Sequence, residues 1–155
     1  MALRYEASSN QEELVVNNTF QILTDNNIEP SELANLMASV GWSAESDYDN
    51  QVIEQSLASY PFIAHCRDSR GFLIGYVSAF SDGAFSTVVG ELVVRPEFQR
   101  NGIGSELLRL VVERYSGIPV YAMPFEDVQE FFLTRGFRVP KRAMSVVSKR
   151  NALPA

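Results

Sequence analysis

The residues best placed for chemistry are six in a row, Gln99-Arg100-Asn101-Gly102-Ile103-Gly104. They follow a strand-like run, Glu91 to Val94, and a break at Arg95-Pro96-Glu97, and an amphipathic helix begins directly after them. The first amides of a helix have no intrahelical partner, and the helix dipole is positive at that end. A glycine there removes the Cβ that would hold a phosphate away from those amides, so the stretch reads as an anion cradle. Spacing narrows the kind of cradle. A P-loop needs a Lys-Ser/Thr pair after its last glycine, and this stretch has none. A dinucleotide fingerprint needs a third glycine where this chain has Leu107. What remains is Gln/Arg-x-x-Gly-x-Gly.

The elements that must position this loop can be read from periodicity and turn residues. Thr19 to Leu23 alternates as a strand, and Pro30-Ser31-Glu32 opens a helix that lines up Leu33, Leu36, Met37 and Val40 and ends at Gly41. Asp49 caps a second helix through Val52, Ile53, Leu57 and Tyr60, which Pro61 closes. Phe62 to Cys66, Phe72 to Phe80 and Phe85 to Val94 form an antiparallel meander, with turns at Asp68-Ser69-Arg70-Gly71 and Ser81-Asp82-Gly83. The helix after the loop sets Ile103, Leu107, Leu110 or Val111 and Arg114 one to two turns apart, and Ser116-Gly117 stops it. Ile118 to Met123 is a strand after a helical crossover, hence parallel to the strand before that helix. A last helix runs from Phe125 to Thr134, and Ala143 to Ser148 is a closing strand. The expected fold is α+β, of three-layer α/β/α type. Its sheet is mixed, mostly antiparallel and six- to seven-stranded, with about four helices. One domain spans residues 18–150, between a polar lead-in over residues 1–17 and a tail over residues 151–155.

Bulk properties exclude several classes of function. The chain has 155 residues, enough for one domain with a full core. Its net charge of −6 argues against a nucleic-acid partner, which wants a basic face. The single cysteine, Cys66, allows no disulfide within the chain and fits a reducing compartment. With one His and one Cys no metal-ligand cluster is expected. The N-terminus carries no apolar signal run, and no stretch approaches the ~20 apolar residues of a membrane span. A cytoplasmic location without a membrane partner is expected.

On its motifs the chain resembles the GCN5-related N-acetyltransferase (GNAT) superfamily. The residues that carry the resemblance are VVRPEFQRNGIGSELL, residues 93–108, the order of elements from Thr19 to Ser148, and the Phe131-Phe132-Leu133-Thr134-Arg135-Gly136-Phe137 ending. The resemblance implies acetyl-CoA as donor cosubstrate, a small-molecule amine as acceptor, no metal, and a homodimer. Backbone amides of Arg100, Asn101, Gly102, Ile103, Gly104 and Ser105 would hold the pyrophosphate, Gln99 would belong to the same cofactor-binding loop, and Arg95 and Arg100 are candidates for the 3′-phosphate. The strand Leu92-Val93-Val94 would pair with the pantetheine like an added strand. The sheet would splay between the fourth strand, ending at Val94, and the fifth, around Val120.

Acyl transfer needs a neutral amine, a polarised thioester carbonyl and a proton for the leaving thiolate. Glu91, an acid within an apolar strand beside the expected acetyl position, is the candidate base; the alternative is that it pairs with a basic neighbour or binds substrate. The family's usual acid is a tyrosine in the last helix, where this chain has Phe132, so Tyr121 on the adjacent strand is the candidate substitute. Trp42 and Tyr48 are candidates for the acceptor pocket, where aromatic rings can stack on an aromatic amine or a cation. His65 and Cys66 read as structural residues. No cysteine lies on the motif strand to carry an acetyl group, so transfer would be direct, in a ternary complex. Two other functions fit the same residues: acetylation of a protein or peptide amine, and a CoA-sensing module without catalysis.

Overall fold

The computed structural model describes residues 5–8, 11–16 and 20–149. The expected tail over residues 151–155 lies outside the described residues, as do residues 1–4, 9, 10 and 17 of the expected lead-in. The chain separates into two compact units, one ending at Ala122 and one beginning at Met123, where a single domain over residues 18–150 was expected.

The first unit is a mixed sheet with helices on both faces. Seven strands lie in chain order: β1 (Tyr5–Ser8), β2 (Gln11–Val16), β3 (Phe20–Leu23), β4 (Phe62–Asp68), β5 (Leu73–Ser81), β6 (Thr87–Val94) and β7 (Val120–Tyr121). All neighbours are antiparallel except β6 and β7, which are parallel, as a helical crossover requires. β1 and β2 lie within the stretch expected as a polar lead-in. They are paired Tyr5 with Leu14 through Ser8 with Gln11, and β2 continues onto β3.

Three helices cover the sheet. α1 (Pro30–Ser39) starts on Pro30, which needs no N–H there. The Glu32 carboxylate accepts from the Glu29 amide at 3.1 Å, which closes the first turn. α2 (Asn50–Ser59) is capped by Asp49, whose carboxylate accepts from the amides of Gln51 at 2.8 Å and Val52 at 3.4 Å. Leu33, Ala34 and Leu36 of α1 and Ile53 and Leu57 of α2 pack with Ile63, Tyr76 and Val93 of the sheet. Val52 of α2 is exposed.

The opposite face takes α3 (Ile103–Arg114), which buries Ile103, Leu107, Leu108, Leu110 and Val111. Each such burial is worth about 1.5–3 kcal/mol of transfer free energy. α3 lies so close to β5 that a Cβ at Gly75 would stand 3.0 Å from Ile103 and 3.2 Å from Leu107. Arg114, in the last turn, is exposed and stacks over the Tyr115 ring at 5.2 Å.

The second unit is a short helical piece. A 3-10 turn, Glu126–Val128, leads into α4 (Gln129–Leu133), where a longer helix was expected. Buried Phe132 meets Phe131 at 5.2 Å and Phe137 at 5.4 Å, both edge-on. Gly136 ends the piece with φ of 87°. The closing strand expected over Ala143–Ser148 does not form: the segment has no strand partner among the described residues, and Met144, Val146 and Val147 are exposed. Its β-prone alternation is a preference for a pleated, half-buried surface, and without a neighbour to take its amides no ladder forms.

Candidate functional site

The site is built where β6 changes partners. β7 pairs only with Thr87 and Val88, through Val120 and Tyr121. From Val89 to Val94 that side of β6 has no strand partner among the described residues. This is the splay expected between the strand ending at Val94 and the strand around Val120. It leaves a strand edge able to accept an extended ligand by backbone pairing.

A bulge sits inside the splayed part. Val77 lies opposite Leu92 and Ala79 opposite Val89, so the single residue Ser78 on β5 faces both Gly90 and Glu91 on β6. A bulge of this kind re-aims the side chain at its centre. Here the side chain is Glu91, on the face covered by α1 and α2. Its Oε1 accepts a hydrogen bond from the Tyr60 hydroxyl at 2.9 Å, and its Oε2 accepts one from the Ser78 hydroxyl. The Glu91 amide in turn donates to Ser78 Oγ at 3.0 Å. Gly90 is required sterically. A Cβ there would lie 2.7 Å from Ser78 Oγ and 2.8 Å from the Tyr60 oxygen. Tyr60, just past the end of α2, is steadied by Phe80, their ring centroids 4.3 Å apart.

The electrostatics of this cluster are one-sided. Glu91 has no ion-pair partner among the described residues. Burial, and then the negative charge of Glu91, push the Tyr60 phenol above its ordinary range, and the same two causes raise Tyr76 further. Both phenols therefore stay protonated at neutral pH and serve as donors or packing groups, not as bases.

Three residues beyond Glu91, after Val94, the chain leaves the sheet for the loop. Arg95 anchors this exit. It is buried, donates from Nε to the Leu73 carbonyl at 2.8 Å and from Nη2 to Asn35, and stacks over Phe72 at 4.2 Å. Of the two arginines expected at the 3′-phosphate, Arg95 is thus turned inward, and only Arg100 is exposed at the loop. A 3-10 turn, Pro96–Phe98, follows. The Gln99 side chain donates to the Val94 carbonyl at 2.9 Å, and the Asn101 side chain donates to the carbonyls of Phe98 at 3.0 Å and Gln99 at 3.2 Å. These side chains therefore brace the loop. Arg100 and Gly102 both take left-handed backbone, φ of 64° and 80°, which a glycine adopts without cost and an arginine does not. Gly102 is the N-cap of α3, and the first intrahelical bond runs from Glu106 N to Gly102 O at 3.0 Å. The amides of Ile103 and Gly104 precede that ladder, and the backbone beside them is exposed or half-exposed. An anion placed there would meet unladdered amides and the positive end of a buried helix.

The other candidates fall elsewhere. Tyr121 is half-exposed on β7 opposite Val88, three residues from Glu91, or about 10 Å along the strand. Tyr48 packs against the core under α1 and α2, and Trp42 is exposed just past the end of α1. His65 is fully buried on β4, donating from Nε2 to Asp25 at 2.8 Å; burial lowers its pKa, so it is neutral. Cys66 is buried against Gly75, and burial pushes its thiol up to about 12, which makes it inert as a nucleophile. Tyr60 and Ser78 were not found from the sequence. The one local signal was Gly90, a glycine inside a strand pattern, which marks a bulge or a close approach.

Comparisons with known proteins agree with this geometry. The model of the acetyltransferase (GNAT) family matches residues 27–137. An uncharacterized N-acetyltransferase, ycf52, of Pyropia yezoensis is 26% identical over 119 residues, 74% of this chain and 67% of that protein. The chloroplastic GCN5-related N-acetyltransferase 3 of Arabidopsis thaliana is 35% identical over 72 residues, 44% of this chain and 30% of that protein. Among solved structures, a GNAT family acetyltransferase from Streptococcus pneumoniae superposes with a TM-score of 0.65 at 22% identity, over 84% of this chain and 99% of that one. An aminoglycoside N-acetyltransferase in complex with CoA superposes with a TM-score of 0.64 at 17% identity, over 89% and 99%. With a braced glycine turn at the start of α3, a splayed β6 and a family match across most of its length, this chain belongs to the GNAT acetyltransferase family.

Proposed function

We propose that the protein moves the acetyl group of acetyl-CoA to a primary amine of a small molecule, by direct transfer while both substrates are bound. The observation that carries this reading is the continuity of three features along the chain from β6 to the start of α3. The bulged Glu91, the free strand edge toward Val94 and the glycine turn at Gly102 follow one another within twelve residues. The amides of Ile103 and Gly104 suit the pyrophosphate, the free edge of β6 suits the amide-bearing arm, and Glu91 lies at the far end of that edge. Glu91 takes a proton from the incoming ammonium and so frees the lone pair that attacks the thioester carbonyl. The inert, buried Cys66 supports transfer without an acetyl-enzyme.

Release of free CoA thiol from acetyl-CoA, measured against a panel of small amines and a panel of lysine and N-terminal peptides, tests the reading. Turnover confined to small amines is the expected result. Turnover confined to peptides moves the acceptor class to protein amines. Binding of CoA without turnover on either panel overturns the enzymatic reading in favour of a sensor.

A further inference from the structure

The acceptor half of the site contains a phenol that the motif loop does not announce. Tyr60 lies 31 residues before Glu91 in the chain, yet its hydroxyl is 2.9 Å from the carboxylate. The contact is built in from three sides. Phe80 holds the ring of Tyr60, the missing Cβ at Gly90 leaves room for its oxygen, and the extra residue of the bulge turns Glu91 toward it. The groups facing this cluster are few. Tyr76 and Ser78 face it from β5, Ser56 of α2 reaches the Tyr60 hydroxyl, and no lysine, arginine or histidine pairs with Glu91 among the described residues.

Resting on the acetyltransferase reading above, we propose that Tyr60 is a positioning residue for the amine half of the reaction. With Ser78 it holds the Glu91 carboxylate in one orientation by neutral hydroxyl donors alone, so that the charge is kept for the substrate ammonium. A carboxylate offers about four acceptor positions, and the two hydroxyls use two of them, one on each oxygen. A cationic partner would have neutralised the group; hydroxyl donors fix its orientation without cancelling its charge. The step balances as follows. One ammonium N–H bond breaks and its proton moves to Glu91. The freed nitrogen pair forms the N–C bond, and the C–S bond breaks with its electron pair left on sulfur. Sulfur takes the second nitrogen proton, and Glu91 returns its proton to solvent.

Tyr60→Phe removes one donor and keeps the ring against Phe80. The expected result is a fall in kcat/KM of about tenfold, with the acid limb of the pH–rate profile moved to higher pH and CoA affinity unchanged. The direction follows because losing a donor disfavours the charged carboxylate, so more alkali is needed to keep it ionised. A purely structural role would leave the limb in place. A second readout is independent of turnover: titration of ring-labelled tyrosine by NMR, with the Tyr60 signal assigned by its loss in Tyr60→Phe. Glu91→Gln removes the negative charge and brings the Tyr60 midpoint down; an unmoved midpoint overturns the contact. Wild-type turnover with an unaltered rate and profile in Tyr60→Phe overturns the positioning role and leaves the acetyltransferase reading standing. Absence of wild-type turnover on every amine, with CoA bound, overturns that reading and this role with it.

Discussion

Two polar clusters lie on the same face of the sheet and are wired in opposite ways. At the α1 end, Arg67 forks onto Glu32 with contacts of 2.7 and 2.9 Å and donates to the carbonyls of Gly71 and Asn27, while neutral His65 donates to Asp25. The hydrogen bond from Arg67 holds the Glu32 carboxyl below its usual range. For Asp25, burial alone would raise the carboxyl, but the hydrogen bonds from His65 and the Asn27 amide outweigh it. Each acid there already has its donor or its cation, and the cluster ties α1 and the β3–α1 connection to β4. Around Glu91 the donors are two hydroxyls, and among the described residues no cation pairs with it. Both regions are built from carboxylates next to apolar strands. The difference between them is whether the carboxylate is matched by a cation inside the fold, and the proposed role of Glu91 rests on that difference.

The largest effect that would sharpen this contrast lies at the donor end. Gly102→Asp combines an Asp in left-handed backbone with a negative charge at the helix start. CoA affinity, by isothermal titration, is expected to fall roughly 100-fold or more, with little change in melting temperature. Next is Gly90→Ala, whose Cβ must displace Tyr60 or Ser78. It is expected to cost about 1–3 kcal/mol in urea unfolding and to lower turnover while leaving CoA affinity intact. Arg67→Ala should do the reverse: a loss of about 2 kcal/mol in stability, with kcat per folded molecule unchanged. If Arg67→Ala lowered kcat as Gly90→Ala does, the division between the clusters would fail.

The smallest effect is a pH dependence. The folded pKa of His65 lies below its unfolded value of 6.5, so the unfolded chain binds the proton more readily. Stability is therefore full above about pH 6.5 and declines as pH falls below it. Glu32, lowered from 4.5, adds a second loss below that value. The melting temperature of His65→Gln should be lower at pH 7.5 but flatter between pH 7 and 5.5.

What could be read from sequence was local. The Asp49 cap, the Asp68–Gly71 turn, the amphipathic pattern of α3 and the parallel crossover to Val120 are each specified within a few residues, and each is present. The glycine turn was legible for the same reason. β1 and β2 were missed because YEAS is short and polar and QEELVV shows no alternation of apolar and polar residues. The strand expected over Ala143–Ser148 failed in the opposite way, having the pattern but no partner. The Tyr60–Glu91–Ser78 contacts were out of reach because they depend on cross-strand register, which one extra residue at Gly90 alters. In this chain the half of the site proposed for the donor is written in consecutive residues and the half proposed for the acceptor in topology.

The central claim is that Glu91 is the group that accepts the amine proton. It is tested most directly by the kcat of Glu91→Gln on whichever amine the wild type acetylates, at saturating acetyl-CoA. A drop of about 10²–10³-fold, with CoA affinity unchanged and activity rising again as pH is raised toward the amine's own pKa, is the predicted result. A kcat within a factor of about two of the wild type across that pH range would contradict it.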